Sequence, residues 1–170
     1  MTTPLTHAHT GGVVVFQIGM TVKKPHRPDL WGPVALAMSR MQTELKRNMA
    51  QAERGEAEDL GFMGGVNLLG ARGPWCVQYW RSVEQLYAYA ADPHHAHLPA
   101  WRKFNQAARK NPGAVGVWHE TYVVAESGIE TLYGNGAVVG LGAMAGTVPV
   151  AKRGLKAAQR LGSAPDSRVN

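Results

Sequence analysis

Apolar residues recur along this chain with two periods, and the switches between them mark out its elements. Residues 13–20 are apolar except for Gln17, a pattern that predicts a strand covered on both faces. After the breakers Pro25, Pro28 and Gly32-Pro33, a long amphipathic helix is predicted by Leu30, Val34, Met38, Met41, Leu45 and Met49 at spacings of three and four. Gly55 with Glu56, Glu58 and Asp59 forms a return loop. Stretches 61–69 and 75–80, joined by Arg72-Gly73-Pro74, then read as an antiparallel hairpin, with Gly64-Gly65 suited to a bulge or bend. Ser82 and Gln85 have capping-box spacing and open a second helix through Leu86 and Tyr89, which Asp92-Pro93 ends. A third helical stretch places His97, Trp101, Phe104 and Ala108 on one face and tolerates Pro99 in its first turn. Beyond the turn Asn111-Pro112-Gly113, residues 113–124 predict a strand rich in β-branched and aromatic side chains.

Strand, helix, two strands, helix and strand is the βαββαβ plan of an α+β, ferredoxin-like fold with an antiparallel sheet. A further strand at 130–133, an uncharged apolar arm and a basic helix from about residue 151 to 161 are expected to follow. The predicted organisation is a flexible start over 1–12, a ferredoxin-like domain over 13–136, an arm and helix over 137–162, and a disordered tail over 163–170.

Composition changes this picture little. A chain of 170 residues with 45% hydrophobic side chains can bury an ordinary core. The formal charge of +6 gathers partly in Lys152, Arg153, Lys156, Arg160 and Arg168, with no basic stripe interleaved with aromatics, so nucleic acid is not an expected partner. Residues 1–10 lack the pattern of a signal peptide, and the uncharged run is too short and too rich in glycine for a membrane span. The lone Cys76 fits a reducing compartment, and a cytoplasmic protein with no membrane association is expected.

Parity along the strands points to candidate chemistry. Val14, Phe16, Ile18 and Met20 form a wholly apolar class suited to a helix-covered face, whereas the opposite class, Val13, Val15, Gln17 and Gly19, carries an amide. Gln78 shares a face with Cys76 and Trp80, and Asn67 with Met63 and Leu69. An apolar surface with one amide per strand suits an enclosed small-molecule pocket, and equally a face buried in a dimer. His119 and Glu120 must leave their strand on opposite sides. With Trp118 packed under the helices, His119 joins the amide-bearing face beside Val117 and Thr121, and Glu120 takes a structural or dimer-contact role. A satisfied buried imidazole is the plainer alternative for His119. His94, His95 and His97 lack the cysteines and carboxylates of a zinc site. A single axial ligand to haem iron demands less, and His97, with Trp101 and Phe104 on its helix face, meets that description. Phosphate-binding loops, dinucleotide fingerprints and hydrolase motifs are absent.

Four stretches in order, Val15-Phe16-Gln17-Ile18-Gly19-Met20, Gln78-Tyr79-Trp80-Arg81-Ser82, His97-Leu98-Pro99-Ala100-Trp101-Arg102-Lys103-Phe104-Asn105 and Gly116-Val117-Trp118-His119-Glu120-Thr121-Tyr122, resemble the fumagillin-pathway monooxygenase-like family. That family looks like a branch of the dimeric α+β barrel (antibiotic biosynthesis monooxygenase-like) superfamily. The resemblance implies a homodimer in which two ferredoxin-like sheets close face to face, and a superfamily of cofactor-independent monooxygenases together with haem-using relatives. Haem-degrading relatives place an axial histidine in the region of His97. After Tyr133, the run Gly134-Asn135-Gly136-Ala137 departs from the asparagine-methionine-proline run of the family.

The function expected is a monooxygenase-like enzyme acting on a small, largely apolar substrate, with either no cofactor or haem. His119 is the expected acid/base or orienting group, Gln17, Asn67 and Gln78 are the amides for developing oxyanion charge, and His97 is the haem-ligand candidate. The alternatives are a non-catalytic dimeric protein binding a small ligand or haem, and a haem-dependent dehydratase of the aldoxime dehydratase type.

Overall fold

The computed structural model describes residues 3–162. After a short strand β1 (Leu5–His7), the chain runs through β2 (Val13–Val22), α1 (Pro28–Glu53), β3 (Phe62–Gly70), β4 (Gly73–Trp80), α2 (Val83–Ala91), α3 (His97–Lys110) and β5 (Val115–Val124). Pro28 enters α1 in its first turn, and the Ser82 hydroxyl caps α2 by accepting the Gln85 N–H at 3.2 Å. The four long strands form one antiparallel sheet in the order β3-β4-β2-β5, which is the ferredoxin-like arrangement.

The helices cover one side of this sheet. Val14, Phe62 and Trp80 meet Leu45 of α1 and Leu86 and Tyr89 of α2 in one cluster, with Phe16 packed against it. Trp80 is fully buried, its ring centroid 5.4 Å from that of Phe62 and 5.8 Å from that of Tyr89. A side chain in such a place is worth about 3–5 kcal/mol against truncation to alanine.

The other side of the sheet is divided. One end is covered by the segment after β5, where Ile129 and Leu141 pack on Val13 and Met63, with Tyr79 and Ala145 beside them. The bulge between Phe62 and Gly64 turns Met63 to this side, away from Asn67 and Leu69, with which simple alternation would group it. Gly64 has φ of +137°, and any Cβ there would collide with the Met144 sulfur. The rest of this side is uncovered. Here Trp75 and Trp118 lie over Gly19 with ring centroids 5.9 Å apart, and a Cβ on Gly19 would sit only 2.6 Å from Trp75 Cβ and 2.7 Å from Trp118 Cζ2.

Three sequence expectations change at the ends of the chain. The start, expected to be flexible, contributes β1, which pairs antiparallel with β6 (Thr147–Pro149) and buries Thr6 and His7. Residues 130–133 form no strand beyond a single bridge from Leu5 to Tyr133, because β1 takes its full ladder from β6 while Thr131 joins through its side chain. The expected basic helix is broken into a 3-10 turn at Val150–Lys152 and a single turn α5 (Ala157–Arg160), with Gly154 at φ +118° between them. A second short helix, α4 (Leu141–Ala145), lies within the apolar arm. Arg160 fastens this region: its Nε and Nη2 donate to Glu130 Oε1 at 2.8 and 2.5 Å, and its Nη1 donates to the carbonyls of Gly154 and Leu155. The tail expected over 163–170 lies outside the described residues. Among those described, no helix is long and apolar enough to cross a membrane.

His7 makes this packing sensitive to acid. Burial, and then the Arg153 charge, hold its imidazole below the ordinary histidine range, and its Nδ1 is buried without a hydrogen-bond partner. The unfolded chain therefore binds the His7 proton more readily than the folded one, so stability falls as pH drops through the unfolded value near about 6.5, and levels off below the folded value. Thermal unfolding between pH 7.5 and 5.5 is expected to show this decline, at most about 1.4 kcal/mol per pH unit for one proton. His7→Gln should flatten that part of the profile, and an unchanged slope would assign the acid sensitivity elsewhere.

Candidate functional site

Helical periodicity in α1 turns Met38, Met41 and Leu45 toward the sheet, where alternation in β2 and β4 presents Phe16, Ile18, Gln78 and Trp80. Leu86, Tyr89 and Ala90 of α2 close the space from a second direction, and His97 enters it from the first residue of α3. The cavity so formed, partly open to solvent, is ≈ 40 Å³. That holds a few waters at most, far less than the roughly 300–1,000 Å³ of a ligand pocket. Its walls are apolar apart from Gln42, Gln78, the Tyr89 hydroxyl and His97.

Two polar groups of the lining, Gln78 on the sheet and His97 on α3, are held by their own hydrogen bonds. Trp80 Nε1–H donates to Gln78 Oε1 at 3.0 Å, which fixes the amide so that its NH₂ points away from the indole. His97 Nδ1 lies 2.9 Å from the Ala90 carbonyl. A carbonyl only accepts, so in the neutral ring Nδ1 carries the proton and Nε2 carries the lone pair. This arrangement can take up a proton at Nε2 or donate a lone pair there, with an amide N–H₂ in the same lining.

Cys76, directly opposite Asn67 in the sheet, is not a nucleophile in this setting. Burial pushes its thiol up to about 11, against the smaller opposing effects of the Gln78 amide and the Lys46 charge.

A second polar group sits behind the cavity. Glu44 of α1 accepts from the Tyr89 hydroxyl at 2.9 Å and the Ala96 N–H at 3.0 Å, and its other oxygen lies 3.1 Å from His95 Nδ1. Burial alone would raise the Glu44 carboxyl, but the Ala96, Tyr89 and His95 hydrogen bonds outweigh it and hold the group below the ordinary range. Burial, and then the same carboxylate, push the Tyr89 phenol far above its usual value.

The residues singled out from the sequence do not form one site. Gln78 and His97 line the cavity. Gln17 lies opposite Glu120 and Val77 on the side of the sheet away from the helices, and Asn67 is exposed near the end of β3 opposite Cys76. Trp101 and Phe104 stack on each other at 5.6 Å along α3, Trp101 with 45% of its surface exposed, and neither lines the cavity.

His119 does share a face with Val117 and Thr121, but that face is the helix side. It pairs with Ile18, its ring is 5.6 Å from that of Phe16, and it is exposed on the edge strand β5. The expected facing inverts because Trp118 packs over Gly19 on the uncovered side rather than under the helices. The signal was Gly19 itself, a residue with no side chain in an otherwise bulky strand, which leaves room for two indoles. Gln42 and Glu44 were not singled out from the sequence, while Tyr89 entered only as a residue of the second helix and His95 only in the histidine cluster set aside as a zinc site. Glu44, a carboxylate beside the apolar stripe of Met41 and Leu45, was the visible sign of a buried polar partner.

Residues 13–141 match the family model of the monooxygenase af470-like proteins. Among curated proteins, the chain is 26% identical over 130 residues to Monooxygenase af470 of Aspergillus fumigatus, a match covering 74% of this chain and 43% of that protein. The chain thus spans less than half the length of this relative. Among solved structures it is similar to Rv0793 from Mycobacterium tuberculosis, at 16% identity and a TM-score of 0.41, covering 64% of this chain and 92% of the other. It is also similar to a conserved protein of Bacteroides thetaiotaomicron described as a possible oxidoreductase, at 12% identity and a TM-score of 0.33, covering 67% and 99%. With more than half of its length matched by the family model, the chain belongs to the monooxygenase af470-like family.

Proposed function

We propose that this chain is a cofactor-independent monooxygenase that takes a small, largely apolar organic molecule between α3 and the sheet, with His97 as its base. The observation that carries this reading is the His97 imidazole, oriented by the Ala90 carbonyl, lining an apolar cavity together with the Gln78 amide. His97 takes the acid/base role that parity suggested for His119, since His119 stands outside the cavity on an edge strand. In the proposed chemistry Nε2 removes a proton from an acidic carbon or phenol, and the Gln78 N–H₂ stabilises the oxyanion that develops. The electron-rich substrate then reacts with oxygen directly. One oxygen atom converts a methylene to a carbonyl and the other leaves as water, so the substrate supplies the electrons. Apolar walls limit the access of water to the reactive anion.

The same residues fit haem in one respect and not in another. The donor atom fits, since an imidazole with Nδ1–H on a carbonyl presents Nε2 as a ligand. The space as it stands, ≈ 40 Å³, holds neither a porphyrin nor a substrate, and a porphyrin demands much the larger displacement of the walls.

The uncovered part of the sheet supports a homodimer. Val15, Val66 and Val77 surround Gln17, with Trp75 and Trp118 beside them, and a second copy of the same face would bury them together.

Two measurements test these readings. Metal-free protein assayed for oxygen uptake on a panel of phenolic and terpenoid compounds should consume oxygen, and His97→Ala should lower kcat by about 10²–10⁴-fold. Absence of uptake across the panel would favour a binding protein, and a Soret band on haem addition that His97→Ala abolishes would replace the cofactor-free reading with a haem protein. Light scattering should give twice the chain mass of 18.4 kDa, with Trp118→Glu monomeric. A monomeric wild type would refute the shared face.

A further inference from the structure

The cavity is too small for a ligand of any useful size, at ≈ 40 Å³, so one wall must move to admit one. Among the helices around it, α1 carries the buried Leu45 and α2 carries the buried Leu86 and Tyr89, whereas no residue of α3 is buried. A wall without a buried side chain is the one that opens at least cost. What holds the start of α3 is polar. Ala96, the residue before His97, donates its N–H to Glu44 Oε2, and His95 contacts the other oxygen of the same carboxylate. The Tyr89 hydroxyl of α2 donates to the same Oε2 as Ala96. One carboxylate on α1 therefore spans α2 and the turn from which α3 departs.

We propose that Glu44 is the latch of the cavity and the positioning residue for His97. Its carboxylate holds the first turn of α3 against α1 and α2, and a ligand enters when the bonds from Ala96 and His95 release. The connection to His97 is direct in the chain. With the Ala96 peptide held by Glu44, the imidazole one residue on is brought to the Ala90 carbonyl, 2.9 Å from Nδ1. When the latch opens, that hydrogen bond loses its geometry and the proton distributes between Nδ1 and Nε2. The role in ligand entry rests on reading the cavity as the binding site, whereas the mechanical role does not.

The test uses the full chain without ligand, so that it is independent of activity. In Glu44→Gln, native-state exchange of the α3 amides should accelerate about ten- to a hundredfold, the loss of one or two charge-assisted hydrogen bonds, while the amides of β2 and β4 keep their protection. The imidazole ¹⁵N shifts of His97 should move from a single Nδ1–H tautomer toward a mixture. Ala96→Pro provides a second variant that leaves the carboxylate intact. Ala96 has φ of −63°, which proline adopts, so the substitution removes the donor to Glu44 and, by restricting the backbone of His95, acts on the same contacts; it should produce the same acceleration and the same shift. Tyr89→Phe, which leaves both α3 contacts in place, should leave the His97 signals unchanged. The latch is overturned by α3 exchange and His97 shifts that stay at wild-type values in Ala96→Pro, or by acceleration of β2 and β4 equal to that of α3, which would reduce Glu44 to general stability. Accelerated α3 exchange in a chain that binds no compound would retain the latch and reject the proposed function.

Discussion

Ten residues of β2 pair along one edge with β5 and six of them along the other with β4, and alternate side chains leave each strand on opposite sides. That register distributes the chemistry of the whole molecule. Phe16 and Ile18 turn toward the helices and bring Gln78 and Trp80 with them into the wall of the cavity. Gln17 and Gly19 turn away and bring Trp75, Trp118 and Glu120. A slip of one residue would exchange the two sets, burying Glu120 under the helices and exposing Trp80. The pair of indoles over Gly19 and the cluster around Trp80 hold the register from opposite sides of the sheet.

Much of this was visible in the sequence, and the reasons are physical. The long helices and strands carry apolar residues at clear periods, so α1, the β3–β4 hairpin and β5 followed from pattern alone, as did the cap at Ser82. His97 drew attention as a haem-ligand candidate with Trp101 and Phe104 on its helix face, and it lines the cavity while those two aromatics do not. Facing was harder. Parity separates two sets of side chains in each strand but says nothing of which set on β5 matches which on β2, and that depends on the bulky Trp118 finding the empty place at Gly19. The ends of the chain were hardest, because β1 and β6 are three residues each and exist only through each other. Thr6 and His7 become buried by contacts more than a hundred residues away, which no local pattern encodes.

The candidate site joins two kinds of order. Around Trp80 the packing is apolar and dense, suited to a rigid wall. Around α3 the order is polar, made by one carboxylate with Tyr89, His95 and Ala96 and by one carbonyl with His97. Hydrogen bonds of this kind set direction and can be broken singly, whereas a buried cluster yields only as a whole. A molecule that must exclude water during reaction and admit a substrate beforehand has use for both, arranged on opposite walls of the same space.

The central claim is that chemistry belongs to the helix side of the sheet, with the opposite side left to packing between copies. The most direct measurement is a crystal structure of the chain with a phenolic ligand bound. The account predicts the ligand between a displaced α3 and strands β2 and β4, in contact with His97 and the Gln78 amide. A ligand seated against Trp75 and Trp118 on the other side, with α3 still latched by Glu44, would contradict it.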